Sequence, residues 1–206
     1  KGQVRLSAND DLVAAFASLQ TDDAILEEMI PFHAEASFLV ARAIDGSLSL
    51  FPASLNEHKN GILARSLAPA ALPDAVINEG KVAVSALAEA LDLVGLLALE
   101  TFVTEDSRVL FNEIAPRPHN SFHWSIEGCE TSQFTQLLRA VAGLPLGGTS
   151  CYGTWQMDNL LGEDMGSLDA LTKKTGLHIH LYGKAEAKVG RKMGHTNQQI
   201  SRKSID

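Results

Sequence analysis

The sequence contains no apolar run long enough to cross a bilayer. The longest lies near Leu91–Leu99 and is broken by Asp92, whereas a spanning helix takes about 20 apolar residues. It is also poor in cysteine. Cys129 and Cys151 make neither a disulfide framework nor a four-ligand zinc site, and reduced thiols are expected. Lysine and arginine number 17 against 25 acids, a formal charge of −8. No long basic run appears, and the few aromatics do not interleave with basic residues. Nucleic acid is therefore excluded as a partner class, as is a membrane, while a local basic pocket for an anion remains compatible with the net charge. There is no internal repeat, low-complexity tract or signal-peptide pattern, and a cytoplasmic location is expected. What is present is an ordinary globular composition, 45% hydrophobic and 20% charged over 206 residues. That suffices for one good core, or one domain with a small companion.

Strand-like phrases occur at Gln3–Leu6, Ala24–Glu28 and Glu35–Arg42, with a short helix at Leu12–Leu19 after a turn at Ser7–Asp11. Asp45-Gly46 before Leu48–Phe51 is a hairpin signal. A further strand runs from Ile62 to Leu67. From Pro73 to Leu91 the period becomes helical, with Ile77, Val84, Leu87 and Leu91 on one face. Leu96–Phe102 and Val109–Ile114 form a second hairpin about Glu105-Asp106-Ser107. A helix over Gln133–Val141 turns Phe134, Leu137, Leu138 and Val141 inward. After Gly147-Gly148 the texture changes to short segments, among them Leu160–Gly162 and Gly176–Tyr182. The predicted class is α+β, with residues 1–147 as the main domain and 148–206 as a small, mostly β one.

The acids of the second hairpin carry the chemistry. Glu100 follows Leu96–Leu99, and Glu113 sits between Asn112 and Ile114 after Phe111. Bare carboxylates in apolar strands are costly unless paired or bound to a cation. Hairpin partners lie about 5 Å apart, so two carboxylates with the Asn112 amide form a hard oxygen site suited to Mg²⁺. The alternative is that both acids stand at wet strand ends and pair with Arg or Lys. Next comes Pro116-Arg117-Pro118-His119-Asn120-Ser121-Phe122-His123-Trp124. It is a proline-stiffened loop that presents a guanidinium, two imidazoles, an amide and a hydroxyl. Arg117 suits a carboxylate or phosphate; His119 and His123 lack a third zinc ligand at useful spacing. Lys184 and Gly190-Arg191-Lys192-Met193-Gly194-His195 form the compact basic cluster, either a phosphate-wrapping loop or a solvated turn. Glu27-Glu28-Met29-Ile30 is either a base-binding edge or an ordinary one.

Taken in order, these phrases resemble the N5-carboxyaminoimidazole ribonucleotide synthases of the ATP-grasp superfamily. The resemblance runs from Lys1 to about Gly194. Its most specific stretches are Leu99–Trp124 and Gly190–His195. Supporting ones are Glu27–Phe32, His58–Leu63 and Thr131–Phe134. It implies a partial ATP-grasp fold followed by a small C-terminal region, in a chain that lacks the family's N-terminal domain and most of its glycine-rich loop. It implies ATP and Mg²⁺ as cofactors, 5-aminoimidazole ribonucleotide and bicarbonate as substrates, carboxyphosphate as intermediate, and a homodimer. Matched residue by residue, Glu27, Glu28, Met29 and Ile30 would hold the adenine edge, Glu35 the ribose, and His58 would lie near the nucleotide. Glu100 and Glu113 would hold Mg²⁺ with Asn112 beside them. Arg117, His119 and Asn120 would face bicarbonate, carboxyphosphate or the aminoimidazole. Lys184, Arg191 and Lys192 would grip the ribotide phosphate. The chain departs from the family pattern at Phe122, where a glycine is common and a narrowed substrate loop is expected. It departs again at Gln156–Asn159 and in the polar tail after His195. Rival readings are another ATP-grasp ribotide ligase, a formate-dependent transformylase, or a non-catalytic remnant.

Overall fold

The computed structural model describes residues 2–201. The chain forms two compact units, Lys1–Pro31 and Phe32–Asp206. In the first, Asp11 caps helix α1 (Leu12–Ser18) by accepting from the amides of Val13 and Ala14, which satisfies two otherwise orphaned donors. The expected strands at Gln3–Leu6 and Ala24–Glu28 do not form; both stretches are irregular. Among the described residues of this unit there is no second strand to supply a ladder, and their apolar side chains stay exposed, Ile25 and Leu26 at 80% and 81%.

The second unit is built on one antiparallel sheet. Its strands are β1 (Ala34–Arg42), β2 (Leu48–Leu50), β3 (Ser54–Lys59), β4 (Ile62–Ala68), β5 (Gly95–Val103), β6 (Val109–Ala115), β7 (Thr154–Leu161), β8 (Leu177–Leu181) and β9 (Lys192–Ser201). They lie in the order β6-β5-β1-β3-β4-β7-β9-β8, with β2 on β1. The Asp45-Gly46 turn forms as expected: Gly46 takes φ 83°, which glycine adopts without steric cost. It sets Val40 opposite Leu50. The same sheet continues on both sides of Gly147, because β4 pairs with β7.

Helices cover both faces. On one, α2 (Asp74–Ala90) buries Val76, Gly80, Val84 and Ala88, an i, i+4 stripe. The stripe lies against Phe38, Val40, Leu97 and Leu99, with Ile77 and Leu87 partly buried beside it. Leu91 falls outside the helix and is exposed. The Phe38 ring occupies the place where a Cβ on residue 80 would stand, so only glycine fits there.

The other face carries α3 (Ser125–Gly128) and α4 (Gln133–Val141) over a core of Leu39, Phe51, Leu96, Phe122, Trp124 and Met157. The inward face of α4 differs from expectation. Gln133, Gln136 and Ala140 are buried with Leu137 partly so, while Phe134, Leu138 and Val141 are exposed. The glutamines are buried because each finds backbone partners there, Gln136 pairing with both polar groups of Gly147. Of the polar tail after His195, positions 202–206 lie outside the described residues, and 196–201 are strand. These form most of β9, an interior strand with Thr196 and Asn197 buried. Helix α5 (Leu168–Thr172) links β7 to β8. Among the described residues no helix is long and apolar enough to cross a membrane.

Candidate active site

The site is centred on the β5–β6 hairpin. Glu100 stands opposite Glu113, and a bulge at this point leaves Asn112 without a register partner. Bulges break the pleat and re-aim side chains, so Asn112 and Glu113 escape strict alternation. Glu100 is largely buried and Glu113 exposed. Burial, then the negative charge of Glu113, pushes the Glu100 carboxyl above its ordinary range. His119 approaches from the following loop, Nε2 at 3.1 Å from Glu100 Oε1. One ligand atom from each of Glu100, Glu113 and His119 lies within 4.8 Å of the others. Burial, then the charges of Arg117 and Lys192, lowers the imidazole to about 4. His119 is thus neutral at pH 7, and its Nε2–H donates to Glu100 rather than neutralising it. His119 therefore leaves the two facing carboxylates unneutralised, and the pair fits a hard divalent cation.

The loop is held from behind by one amide. Gln133, at the start of α4, is fully buried. Its Oε1 accepts the His119 N–H at 2.8 Å. Its Nε2 donates to the His119 carbonyl at 2.9 Å and to His123 Nδ1 at 2.9 Å. Ser121 Oγ, 2.8 Å from His119 Nδ1, completes the orientation of the ring; with Nε2–H given to the Glu100 carboxylate, Nδ1 accepts from the hydroxyl. Phe122 does not narrow the loop's open side. It is fully buried against Phe51 and Trp124, and the large ring fills core space.

A second acid–imidazole pair lies on β1 and β3. His58 Nδ1 is 2.8 Å from Glu35 Oε2, and that bond raises the imidazole's pKa. Lys192, at the start of β9, joins the clusters. Its own pKa is lowered by burial and supported by Glu100 and Glu113, and its charge acts on His58 and His119 as well. Arg117 and Lys184 act on it in turn.

The structure therefore brings together Glu35, His58, Glu100, Glu113, Arg117, His119, Lys184 and Lys192. Lys184 Nζ donates to the Lys192 carbonyl at 2.6 Å. Arg117 is exposed and donates to the Pro118 carbonyl. Asn120 opens the 3₁₀ turn after His119. Arg191 is exposed with Nη1 on the Glu186 carbonyl at 3.2 Å. Glu27, Glu28 and Met29 lie exposed and Ile30 half-buried in the first unit.

Sequence reasoning missed the Gln133 clamp and a stack of three imidazoles behind it. His195 lies 4.6 Å from both His123 and His180, centroid to centroid. His180 Nε2 meets Glu127 at 2.7 Å. The available signal was the even spacing of His178 and His180 on β8. Only His180 reaches the stack; His178 lies beside Trp155.

The ATP-grasp domain family matches residues 1–134. The chain belongs to the ATP-grasp family. The phosphoribosylaminoimidazole carboxylase C-terminal domain matches residues 156–202, so the ATP-grasp part is followed by a smaller β-rich region. This ATP-grasp chain is 45% identical over 200 residues to the N5-carboxyaminoimidazole ribonucleotide synthase of Brucella melitensis biotype 1, covering 96% of the chain and 55% of that protein. Among solved structures it is similar to an ADP complex of an N5-carboxyaminoimidazole ribonucleotide synthetase. There the TM-score is 0.91 at 43% identity, over 96% of this chain and 52% of that one. It is also similar to the Aspergillus clavatus N5-carboxyaminoimidazole synthase in complex with ADP and 5-aminoimidazole ribonucleotide. That match has a TM-score of 0.84 at 28% identity, covering 92% and 53% of the two chains. The chain spans about half the length of these relatives.

Proposed function

We propose that the protein containing this chain uses ATP and bicarbonate to carboxylate the amine of 5-aminoimidazole ribonucleotide. The products are N5-carboxyaminoimidazole ribonucleotide, ADP and phosphate, in de novo purine synthesis. The observation that carries this reading is the pair of facing carboxylates, Glu100 and Glu113, beside Lys192 and Arg117. That set can hold a divalent cation and an anion together. The names of the relatives, and the ribotide in the Aspergillus clavatus complex, support the choice of substrate.

In this reading Glu100 and Glu113, with Asn112 beside them, hold Mg²⁺, which when bound draws off charge from the transferred phosphoryl group. A bond forms from a bicarbonate oxygen to the γ-phosphorus as the bond to ADP breaks. The ribotide amine nitrogen then bonds to the carboxyl carbon as its C–O bond to phosphate breaks, and the amine's surplus proton leaves with the phosphate. Arg117 supplies fixed positive charge where oxyanion charge develops. His119, held neutral, offers an N–H without adding charge, and Asn120 an amide. Glu27–Ile30 serve the adenine edge and Glu35 the ribose, with His58 next to the nucleotide. Lys184, Arg191 and Lys192 take the ribotide phosphate. The division between 1–147 and 148–206 is one of role: the acids lie before it, and the ribotide cations after it. A homodimer in the cytoplasm completes the proposal.

The test is phosphate release from Mg·ATP by the full-length protein, with bicarbonate and the ribotide added singly and together. Release that needs both, with carboxyamino product formed, is the expected result. Release supported by formate in place of bicarbonate refutes it in favour of a transformylase. ATP binding without ribotide-dependent release refutes it in favour of a non-catalytic remnant.

A further inference from the structure

Cys129 and Cys151 are free thiols placed opposite each other in an isolated antiparallel bridge. Two backbone hydrogen bonds flank the pair: Glu130 N–H to the Ser150 carbonyl at 3.2 Å, and Tyr152 N–H to the Gly128 carbonyl at 2.9 Å. Bonds carried by the neighbours, not by the pair, mark the closely spaced kind of antiparallel position, with Cα atoms about 4.5 Å apart. A disulfide bridges Cα separations of about 4.4–6.8 Å, so the two sulfurs can join without the backbone moving. Cys151 beside it, then burial, pushes the Cys129 thiol up, and Cys129 in turn draws the Cys151 thiol down. Cys151 also points its sulfur at the Gly153 carbonyl, 3.2 Å away. Cys129 is 8% exposed and Cys151 half-buried, so one thiol can meet a reagent and the other waits behind it.

We propose that Cys129 and Cys151 form a reversible dithiol–disulfide site whose oxidant is a low-molecular-weight disulfide of the glutathione class. The Cys151 thiolate attacks one sulfur of the reagent. The reagent's S–S bond breaks, and the first glutathione leaves as a thiolate. Cys129 passes its proton to that thiolate and attacks Cys151 Sγ, releasing the second glutathione, which takes its proton from water. Two protein thiols are oxidised and one small disulfide is reduced to two thiols, so electrons and atoms balance. Antiparallel positions of this closely spaced kind lie near the short edge of the disulfide range, at about 4.5 Å, and a bond strained there is easily reduced again. The new bond closes a covalent loop around α4. It ties the end of the segment that carries His119 and His123 to the approach of β7.

The test treats the native full-length protein with glutathione disulfide, quenches with acid, alkylates, and maps unreduced peptides by mass. The wild type is expected to lose the mass of two hydrogens, carry no adduct, and yield the Cys129 peptide linked to the Cys151 peptide. Dithiothreitol should restore both thiols. Cys129→Ser should keep one glutathione on Cys151, and Cys151→Ser should be modified at least about tenfold more slowly. The site is overturned if both wild-type thiols stay alkylatable under conditions that link them in the denatured chain. A persistent glutathione adduct on wild-type Cys151 overturns it too, and equal trapping in the two variants overturns the order of attack. The wild-type results need no variant to fold.

Discussion

Replacing Gln133 with methionine keeps the length of the side chain and removes its hydrogen bonds. Three partners are then stranded in a fully buried place: the His119 N–H, the His119 carbonyl and His123 Nδ1. Each such bond contributes about 1 kcal/mol net, and more when a buried partner is left unsatisfied, so the loss is about 3 kcal/mol. For a chain of this size that is about 6–12 °C in melting temperature. Urea unfolding measures it directly, as a lowered midpoint at unchanged slope. Turnover assayed well below the melt should also fall, on the order of a hundredfold, because a side chain displaced by about 1 Å costs that much in a positioned reaction. A stability loss under about 1 kcal/mol with normal turnover would refute the argument that this amide holds the loop in place.

Glu113→Gln removes the like charge facing Glu100. Metal-free stability should hold or rise slightly in thermal melts, while ATP turnover falls by about a hundredfold or more; a variant with near-normal turnover would remove Glu113 from the metal site. Gly80→Ala drives a methyl into the Phe38 ring and should cost about 1–3 kcal/mol by overpacking, read by denaturant midpoint. Stability should also fall with pH below about 6.5. Burial first, then neighbouring imidazoles, lowers His123 to about 4 and His195 to about 3. The unfolded chain therefore binds more protons between those values and 6.5, and by pH 5 the cost is about 2 kcal/mol for each ring. Among the described residues His195 Nε2 has no hydrogen-bond partner while its Nδ1 faces the Tyr182 hydroxyl, so the Nε2–H of a charged ring finds no acceptor. His58, raised by Glu35, adds stability as pH falls from its folded value to about 6.5 and nothing further below that, so the slope of the fall is set by the lowered rings. A flat urea midpoint from pH 7 to 5 would contradict the depressed imidazoles.

The parts of the fold written in apolar periodicity were legible. β1, β5 and α2 carry runs of buried Leu, Val, Phe and Ala, and the acids of the second hairpin stood out because their neighbours are apolar. β3, β7 and β9 were not read as strands. Their buried positions are held by polar pairing: Asn56 with Ser37 and Ser66, Asn159 with the Leu63 carbonyl, and Asn197 with the His123 carbonyl and Glu127. Each residue has the composition of a loop until its partner is known, and the partners are 10 to 96 positions away. The same cause inverted α4, whose glutamines face in. At the site, residue types and spacing yielded Glu100, Glu113 and the loop after Pro118. The convergence of Lys192 with them depends on β9 pairing with β7, which no local pattern encodes.

That pairing has a consequence for how the protein is made. Among the described residues β8 pairs only with β9, and β7 keeps one edge bare until β9 arrives. From the end of β7 at Leu161 to the end of β9 at Ser201 is 40 positions, about 2–8 s of synthesis at ordinary ribosome speeds. For that interval the nascent chain offers an open strand edge to any neighbour. Lys192 enters β9 at its first residue, so the cation reaches the paired acids only as the gap closes, and a ribosome that stalls before it leaves a sheet without its charge and a template for aggregation.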